Sequence, residues 1–79
     1  MTREEVIFWN LVHEYVLPRF KYSVVDLRPD SGGYYSLKVK RLGESDEKTF
    51  TVFVDQLRSS VETGQLPEGL LCSFADDLS

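Results

Sequence analysis

The 79 residues of the chain suffice for one small domain, residues 1–79, which we expect to bury about 60% of its unfolded surface. The content of 42% hydrophobic and 13% aromatic residues is typical of a globular domain and excludes a disordered one. A single cysteine, Cys72, excludes an internal disulfide and a cysteine-based zinc site. The charged N-terminus resembles neither a signal peptide nor a membrane span, so we expect a cytoplasmic protein that does not bind a membrane.

The first predicted element is a helix that begins after Thr2. Thr2 and Glu5 have the spacing of a capping box, in which each side chain pairs with the backbone amide of the other residue. We expect this helix to end near Val16, because Pro18 lacks an amide donor and disfavours helical geometry at Leu17. Its apolar face is wider than one sheet requires. A second layer of the domain, or a second copy of the chain in a homo-oligomer, is expected to cover it.

Three strands are predicted to follow the helix, at about residues 22–27, 34–40 and 49–54. Residues 29–33 and 43–47 separate them and are rich in the Pro, Gly, Asp and Ser that turns require. The second strand alternates apolar with polar side chains, which predicts one buried and one exposed face. The strands are therefore expected to form an antiparallel meander.

Helical spacing returns after the third strand. Val54, Leu57 and Val61 predict a helix at about residues 54–63, and Gly64 is placed to end it. A short third helix is expected from Leu70 to Leu78. The order α-β-β-β-α predicts an α+β fold, in which a three-stranded antiparallel sheet packs with an N-terminal and a C-terminal helix.

No set of residues has the composition and spacing of a catalytic, cofactor or metal site. His13 is the only histidine, with no recognisable nucleophile or orienting group, and we expect it on the surface. Cys72 has no neighbouring cation, so we expect it to be a buried apolar filler. The carboxylates of residues 44–47 lack the spacing of a calcium loop. The sequence therefore predicts a protein that is not an enzyme and has no cofactor or metal.

The net charge of −4 is distributed unevenly along the chain. Residues 20–42 carry a balance of +3, whereas residues 43–79 carry −6. Such an asymmetric field steers association with charged partners. We therefore predict that acidic residues recognise another protein with a basic surface. The candidate residues are Glu44, Asp46, Glu47, Asp55, Glu62, Asp76 and Asp77.

Aromatic side chains provide a second candidate surface, because the chain has more of them than a small core requires. Interface cores are rich in aromatic residues, and Trp9 and Tyr34 are the candidates here. The alternative is that these aromatic side chains fill the two faces of a thin sheet. The full set is Phe8, Trp9, Tyr15, Tyr34, Tyr35 and Phe53.

The element order over residues 2–63 resembles that of a double-stranded RNA-binding domain. The resemblance implies phosphate contacts from a basic cluster at the start of the second helix, and it would place Lys38, Lys40 and Arg41 on the sheet. The matching residues 52–57 contain Asp55 and no lysine, and missing phosphate contacts weaken RNA binding. Nucleic-acid binding is therefore the alternative function, and we do not expect nucleic acid as the partner.

The acidic α+β character is also similar to that of small phage and mobile-element proteins that inhibit nucleic-acid enzymes. The acidic C-terminal half is expected to dock onto a basic partner, and if that partner binds nucleic acid, the chain would compete for its phosphate site. The predicted function is a small acidic protein–protein interaction module, acting as an inhibitor of a basic or nucleic-acid-binding protein.

Overall fold

A computed structural model describes all 79 residues and has the element order α-β-β-β-α-α. The predicted α+β fold is therefore confirmed, including the short third helix. None of the three helices combines the length and apolar character needed to cross a membrane. The elements are helix α1 (Arg3–Phe20), strands β1 (Tyr22–Asp30), β2 (Tyr34–Arg41) and β3 (Glu47–Phe53), and helices α2 (Val54–Thr63) and α3 (Glu68–Leu78).

Helix α1 begins with the predicted capping box. The Glu5 amide donates to Thr2 Oγ1 at 3.2 Å, and the Thr2 amide donates to Glu5 Oε1 at 2.9 Å. Both residues thereby satisfy amide groups that the first turn of a helix leaves without partners.

The predicted end of α1 near Val16 is wrong, because the helix continues for four more residues to Phe20. Pro18 lies within the last turn, where its missing amide removes a single hydrogen bond. The Lys21 amide still donates to the Leu17 carbonyl at 3.1 Å, and Lys21 adopts a left-handed φ of 63° that ends the helix. One proline near a helix end therefore does not stop the helix.

The sheet is an antiparallel meander in the order β1-β2-β3. Strands β2 and β3 pair without interruption from Tyr34, opposite Phe53, to Lys40, opposite Glu47. Strands β1 and β2 also pair along their length, but their register shifts at Val25, which forms a β-bulge. The sheet therefore has two outer edges, one formed by β1 and the other by β3.

All three strands extend beyond their predicted bounds. β1 continues past Leu27 to Asp30, β2 continues to Arg41, and β3 begins at Glu47. The predicted end of the third strand at Val54 is wrong by one residue, because Val54 begins α2. At the β1–β2 turn, Gly32 and Gly33 adopt φ values of 74° and 79°, which glycine reaches without steric cost. The chain therefore reverses tightly, and pairing continues up to the turn.

The predicted bounds of α2 are confirmed. Gly64 adopts a left-handed φ of 75°, and its amide donates to the Ser60 carbonyl at 2.7 Å, which ends the helix. Helix α3 begins at Glu68, two residues before the predicted start at Leu70.

The hydrophobic core lies on one face of the sheet. Leu37 and Val39, at the centre of the middle strand, are fully buried, whereas the alternate residues of β2 and β3 on the other face are exposed or half-buried. All three helices contribute to the core, and Phe74 of α3 packs perpendicular to Phe50 of β3 at 5.0 Å between ring centroids. The core residues are Phe8, Val12, Val16, Tyr22, Val24, Leu27, Leu37, Val39, Phe50, Val52, Leu57, Leu70, Phe74 and Leu78.

A buried polar contact joins α1 to the sheet. The Tyr35 hydroxyl donates to Glu5 Oε2 at 2.7 Å, and Glu5 is only 7% exposed. The Thr2 amide, followed by the Tyr35 hydroxyl, lowers the pKa of Glu5 below its usual 4.5, despite the opposing effect of burial. The same hydrogen bond, together with burial, raises the pKa of Tyr35. The pair therefore favours ionised Glu5 and neutral Tyr35.

Leu37→Ala should lower the free energy of unfolding by about 2–5 kcal/mol, because it opens a cavity at the fully buried centre of the sheet. Urea denaturation would measure the loss. Thr49→Ala, on the exposed face of β3, is the control and should cost much less. A larger loss for Thr49→Ala would contradict the assignment of the buried face.

Glu5→Gln should destabilise the protein at neutral pH, and this difference should shrink as the pH falls below about 4.5. A lowered pKa in the folded state stabilises the protein above the unfolded pKa, and this contribution is lost as the pH falls through the folded pKa. Urea denaturation at a series of pH values would measure the difference. Glu4→Gln removes one charge from an exposed neighbour and is the control. A difference that does not change with pH would show that the ionised form of Glu5 has no special role.

Candidate interaction surface

The β2–β3 turn carries carboxylates predicted for partner recognition, but cations of the same hairpin neutralise them. Glu44 Oε2 lies 3.0 Å from Arg41 Nε. Asp46 Oδ2 lies 3.7 Å from the same Arg41 atom, and Asp46 Oδ1 lies 3.9 Å from Lys48 Nζ. The turn is therefore a network of intramolecular ion pairs.

The exposed face of the sheet is neutralised in the same way. Glu47 Oε1 lies 3.8 Å from Lys38 Nζ, and Asp26 Oδ2 lies 2.8 Å from Arg28 Nε. Residues 22–53 contain five cations and five carboxylates in total. The basic hairpin and the acidic turn that the sequence presents as separate segments thus cancel each other within the sheet.

Tyr22 makes Asp46 a structural residue as well as a charged one. The Tyr22 hydroxyl donates to Asp46 Oδ2 at 2.9 Å and accepts from Arg41 Nη2 at 3.0 Å, while the Arg41 guanidinium lies 4.7 Å from the centre of the Tyr22 ring. Burial raises the pKa of Tyr22 above its usual 10.0, and the hydrogen bond to Asp46 raises it further. Asp46 therefore ties the β2–β3 turn to the start of β1.

The charge on the two C-terminal helices is different, because it is not neutralised. Residues 54–79 contain one cation, Arg58, and five carboxylates, a balance of −4 that equals the net charge of the whole chain. All five carboxylates are exposed, and none belongs to an ion pair. The five are Asp55, Glu62, Glu68, Asp76 and Asp77.

The predicted acidic residues therefore do not form one continuous surface. Residues 44–47 lie at one end of β3, and Asp55 lies beyond its other end. The seven residues of β3 separate them by roughly 20 Å. Glu68 is not among the predicted residues, but it belongs with the carboxylates of α2 and α3. Its position directly after Leu66-Pro67 could have indicated a new helix start, where carboxylates are common.

Trp9 and Tyr34 also lie apart. Trp9 belongs to α1 and packs against the core on the helical side of the sheet. Tyr34 lies on the opposite face and contacts Phe53, with 4.8 Å between the ring centroids. Tyr34 is 36% exposed, and Phe53 is 50% exposed. The exposed aromatic pair is thus Tyr34–Phe53. The predicted pairing of the second and third strands could have indicated this pair, because it sets the two residues opposite each other.

The remaining chemistry-bearing residues form no site. His13 is half-buried rather than on the surface, and its Nδ1 atom is buried without a hydrogen-bond partner. Cys72 is exposed, so its predicted role as a buried filler is wrong. It occupies the solvent side of α3, between the positions that face the core. No three His, Cys, Asp or Glu side chains are arranged to hold a metal ion.

Comparisons with protein families, curated proteins and solved structures find no match to this chain. The element order that it shares with double-stranded RNA-binding domains is therefore not accompanied by a family match. A proposal for its function depends on the geometry of its own residues.

Tyr22→Phe should lower the free energy of unfolding by about 1 kcal/mol, because it removes a hydroxyl that both donates and accepts a hydrogen bond. Thermal or urea denaturation would measure the change. Glu44→Gln breaks only an exposed ion pair and should cost less than about 0.5 kcal/mol. Equal losses for the two variants would show that the Tyr22 hydroxyl does not anchor the turn.

Proposed function

We propose that this protein is a small acidic protein–protein interaction module, without enzymatic activity, that binds a basic partner through the exposed carboxylates of α2 and α3. The observation that carries the proposal is the location of the net charge. The whole balance of −4 lies in residues 54–79, and no intramolecular ion pair satisfies any of it.

The carboxylates of α2 and α3 are better suited to bind a partner than those of the β2–β3 turn, because they make no intramolecular ion pairs. A partner that binds Glu44 or Asp46 must compete with Arg41 and Lys48, which already lie close to them. No such competition exists at Asp76 or on the rest of the α2–α3 surface. A net negative charge of this size also attracts an oppositely charged partner over a distance and raises the association rate.

The same charge distribution disfavours the nucleic-acid alternative. Of the cations that the double-stranded RNA-binding resemblance would place on the sheet, Lys38 pairs with Glu47, and Arg41 pairs with Glu44. Lys40 alone among the three has no ion pair. Phosphate binding needs several cations free to replace counterions, and the surface carrying the net charge would repel phosphate.

A cytoplasmic inhibitor of a nucleic-acid-binding protein fits this surface. Such a partner presents cations arranged for phosphates, and the carboxylates of α2 and α3 offer negative charge to the same cations. Occupying that site would block nucleic acid without any chemical reaction.

The test is capture of binding proteins by the immobilised chain at low salt, followed by measurement of association kinetics with the purified partner. The helix variant combines Glu62→Gln, Glu68→Gln, Asp76→Asn and Asp77→Asn. It should slow association by about tenfold at low salt and flatten the dependence of the association rate on salt. The matched control, Glu44→Gln with Glu47→Gln, should retain the kinetics of the unmodified protein.

Two outcomes would contradict the proposal. Loss of binding in the control but not in the helix variant would assign recognition to the β2–β3 turn. Tight, length-dependent binding of duplex RNA by the unmodified chain near physiological salt would favour the nucleic-acid alternative.

A further inference from the structure

The outer edge of β3 presents backbone groups that no part of the chain uses. The Val54 amide donates to the Gly33 carbonyl at 3.0 Å, and the Arg41 amide donates to the Asp46 carbonyl at 2.9 Å. Hydrogen-bonded and non-hydrogen-bonded pairs alternate along an antiparallel ladder. These two bonds therefore fix the alternation on β3, and Thr49 and Thr51 direct their N–H and C=O groups away from β2.

The end of β3 agrees with this assignment. The Phe53 amide, which the alternation also directs outwards, donates to Gln56 Oε1 at 3.0 Å. No hydrogen bond from a side chain or a loop reaches the backbone of Thr49 or Thr51. The central part of this edge is therefore open to another strand.

The two edges of the sheet differ in how well they are protected. β1 contains the bulge at Val25 and a proline at Pro29, and both features discourage the addition of a strand. β3 contains no proline, and its pairing with β2 shows no bulge. Strand addition is therefore open at β3 and obstructed at β1.

A cleft of about 160 Å³ lies between this edge and α3. Thr51 and Phe53 line it from the strand, and Gly69 and Ser73 line it from the helix. A Cβ atom built on Gly69 would meet no atom within 4 Å. The cleft therefore has room for side chains of an added strand, since alternate side chains of that strand would point towards α3.

The charge along the cleft indicates the chemistry of its occupant. Gly69, Ser73, Asp76 and Asp77 recur at three- and four-residue spacing, so they lie on the same side of α3. Gly69 lies near Phe53, and the Phe74 ring packs edge-on against Phe50, so α3 runs back along β3 towards its start. The two aspartates consequently lie beyond the cleft on the same side of the helix, with no cation paired to them.

We propose that the outer edge of β3 binds an extended, basic segment of the partner as a fourth strand of the sheet. The backbone of that segment pairs with Thr49 and Thr51, alternate side chains enter the cleft beside Gly69, and Lys or Arg side chains face Asp76 and Asp77. Main-chain pairing gives affinity in such complexes, and the pockets for side chains give specificity. The inference rests on the proposed function and adds the mode of binding to it.

The probe is a synthetic peptide of alternating Lys and Val residues, matched in length to β3. NMR titration at low salt should shift the amide signals of Thr49 and Thr51, and hydrogen exchange at these amides should slow. A Glu–Val peptide tests the charge requirement and should not bind. The Lys–Val peptide with alternate amides N-methylated keeps the charge but loses the donors that face β3, so it should bind about tenfold more weakly.

Two variants of the protein test the edge and the cleft separately. Thr51→Pro removes an outward amide while sparing the ladder to β2, and Thr51→Val is its control. Gly69→Phe fills the cleft, and Ala75→Phe places the same side chain on the solvent side of α3. Thr51→Pro and Gly69→Phe should each weaken peptide binding by about tenfold, whereas the controls should not. Circular dichroism would verify folding, and Gly69→Phe provides the decisive comparison if Thr51→Pro unfolds.

The outcomes separate this inference from the proposed function. Strand addition is wrong if N-methylation of the Lys–Val peptide does not weaken binding and the Gly69→Phe variant binds the peptide as well as the unmodified protein does. Charge alone would then recruit the peptide, and the proposed function would stand. If neither this peptide nor a basic protein binds at low salt, both are wrong. If the amide signals of Thr49 and Thr51 shift with protein concentration in the absence of peptide, the occupant of the edge is a second copy of the chain. That result would overturn the proposal that a basic segment binds there.

Discussion

The structure depends on the burial of one face of its three-stranded sheet. The fully buried Leu37 and Val39 lie between β1 and β3, and all three helices supply side chains to cover them. The three helices all pack on this face of the sheet, and none of them covers the other face. The exposed face and the outer edge of β3 are therefore consequences of how the core is built, and Tyr34 and Phe53 remain accessible for the same reason.

The charges follow the same division of the molecule. Cross-strand pairing brings Lys38 close to Glu47, and the turn brings Arg41 close to Glu44, so the sheet is electrically balanced. The side chains of α2 and α3 that point away from the core have no such partners. The net charge of the protein therefore lies on the exposed sides of α2 and α3, where no intramolecular ion pairs form, whereas the charges of the sheet balance one another.

The sequence was sufficient to predict those features that depend on local patterns. The alternation of residues 34–40 identified the buried face, and the spacing of Thr2 and Glu5 identified the start of α1. Features that depend on tertiary proximity could not be predicted. The cancellation of Glu44 by Arg41 requires the hairpin geometry, and the separation of Trp9 from Tyr34 requires knowing which face α1 covers. The end of α1 was predicted too early, because a proline in the last helical turn removes only one hydrogen bond and does not stop the helix.

An open strand edge carries a risk of pairing with another copy of the same chain. The charge on α2 and α3 opposes this event. Two β3 edges that approach each other bring two α3 helices together, and each carries Asp76 and Asp77 without a paired cation. Like charges on the two helices would repel each other, whereas a basic strand would be attracted by the same charges. In the proposed mode of binding, the acidic surface would therefore favour a basic partner at the edge of β3 and disfavour self-association there.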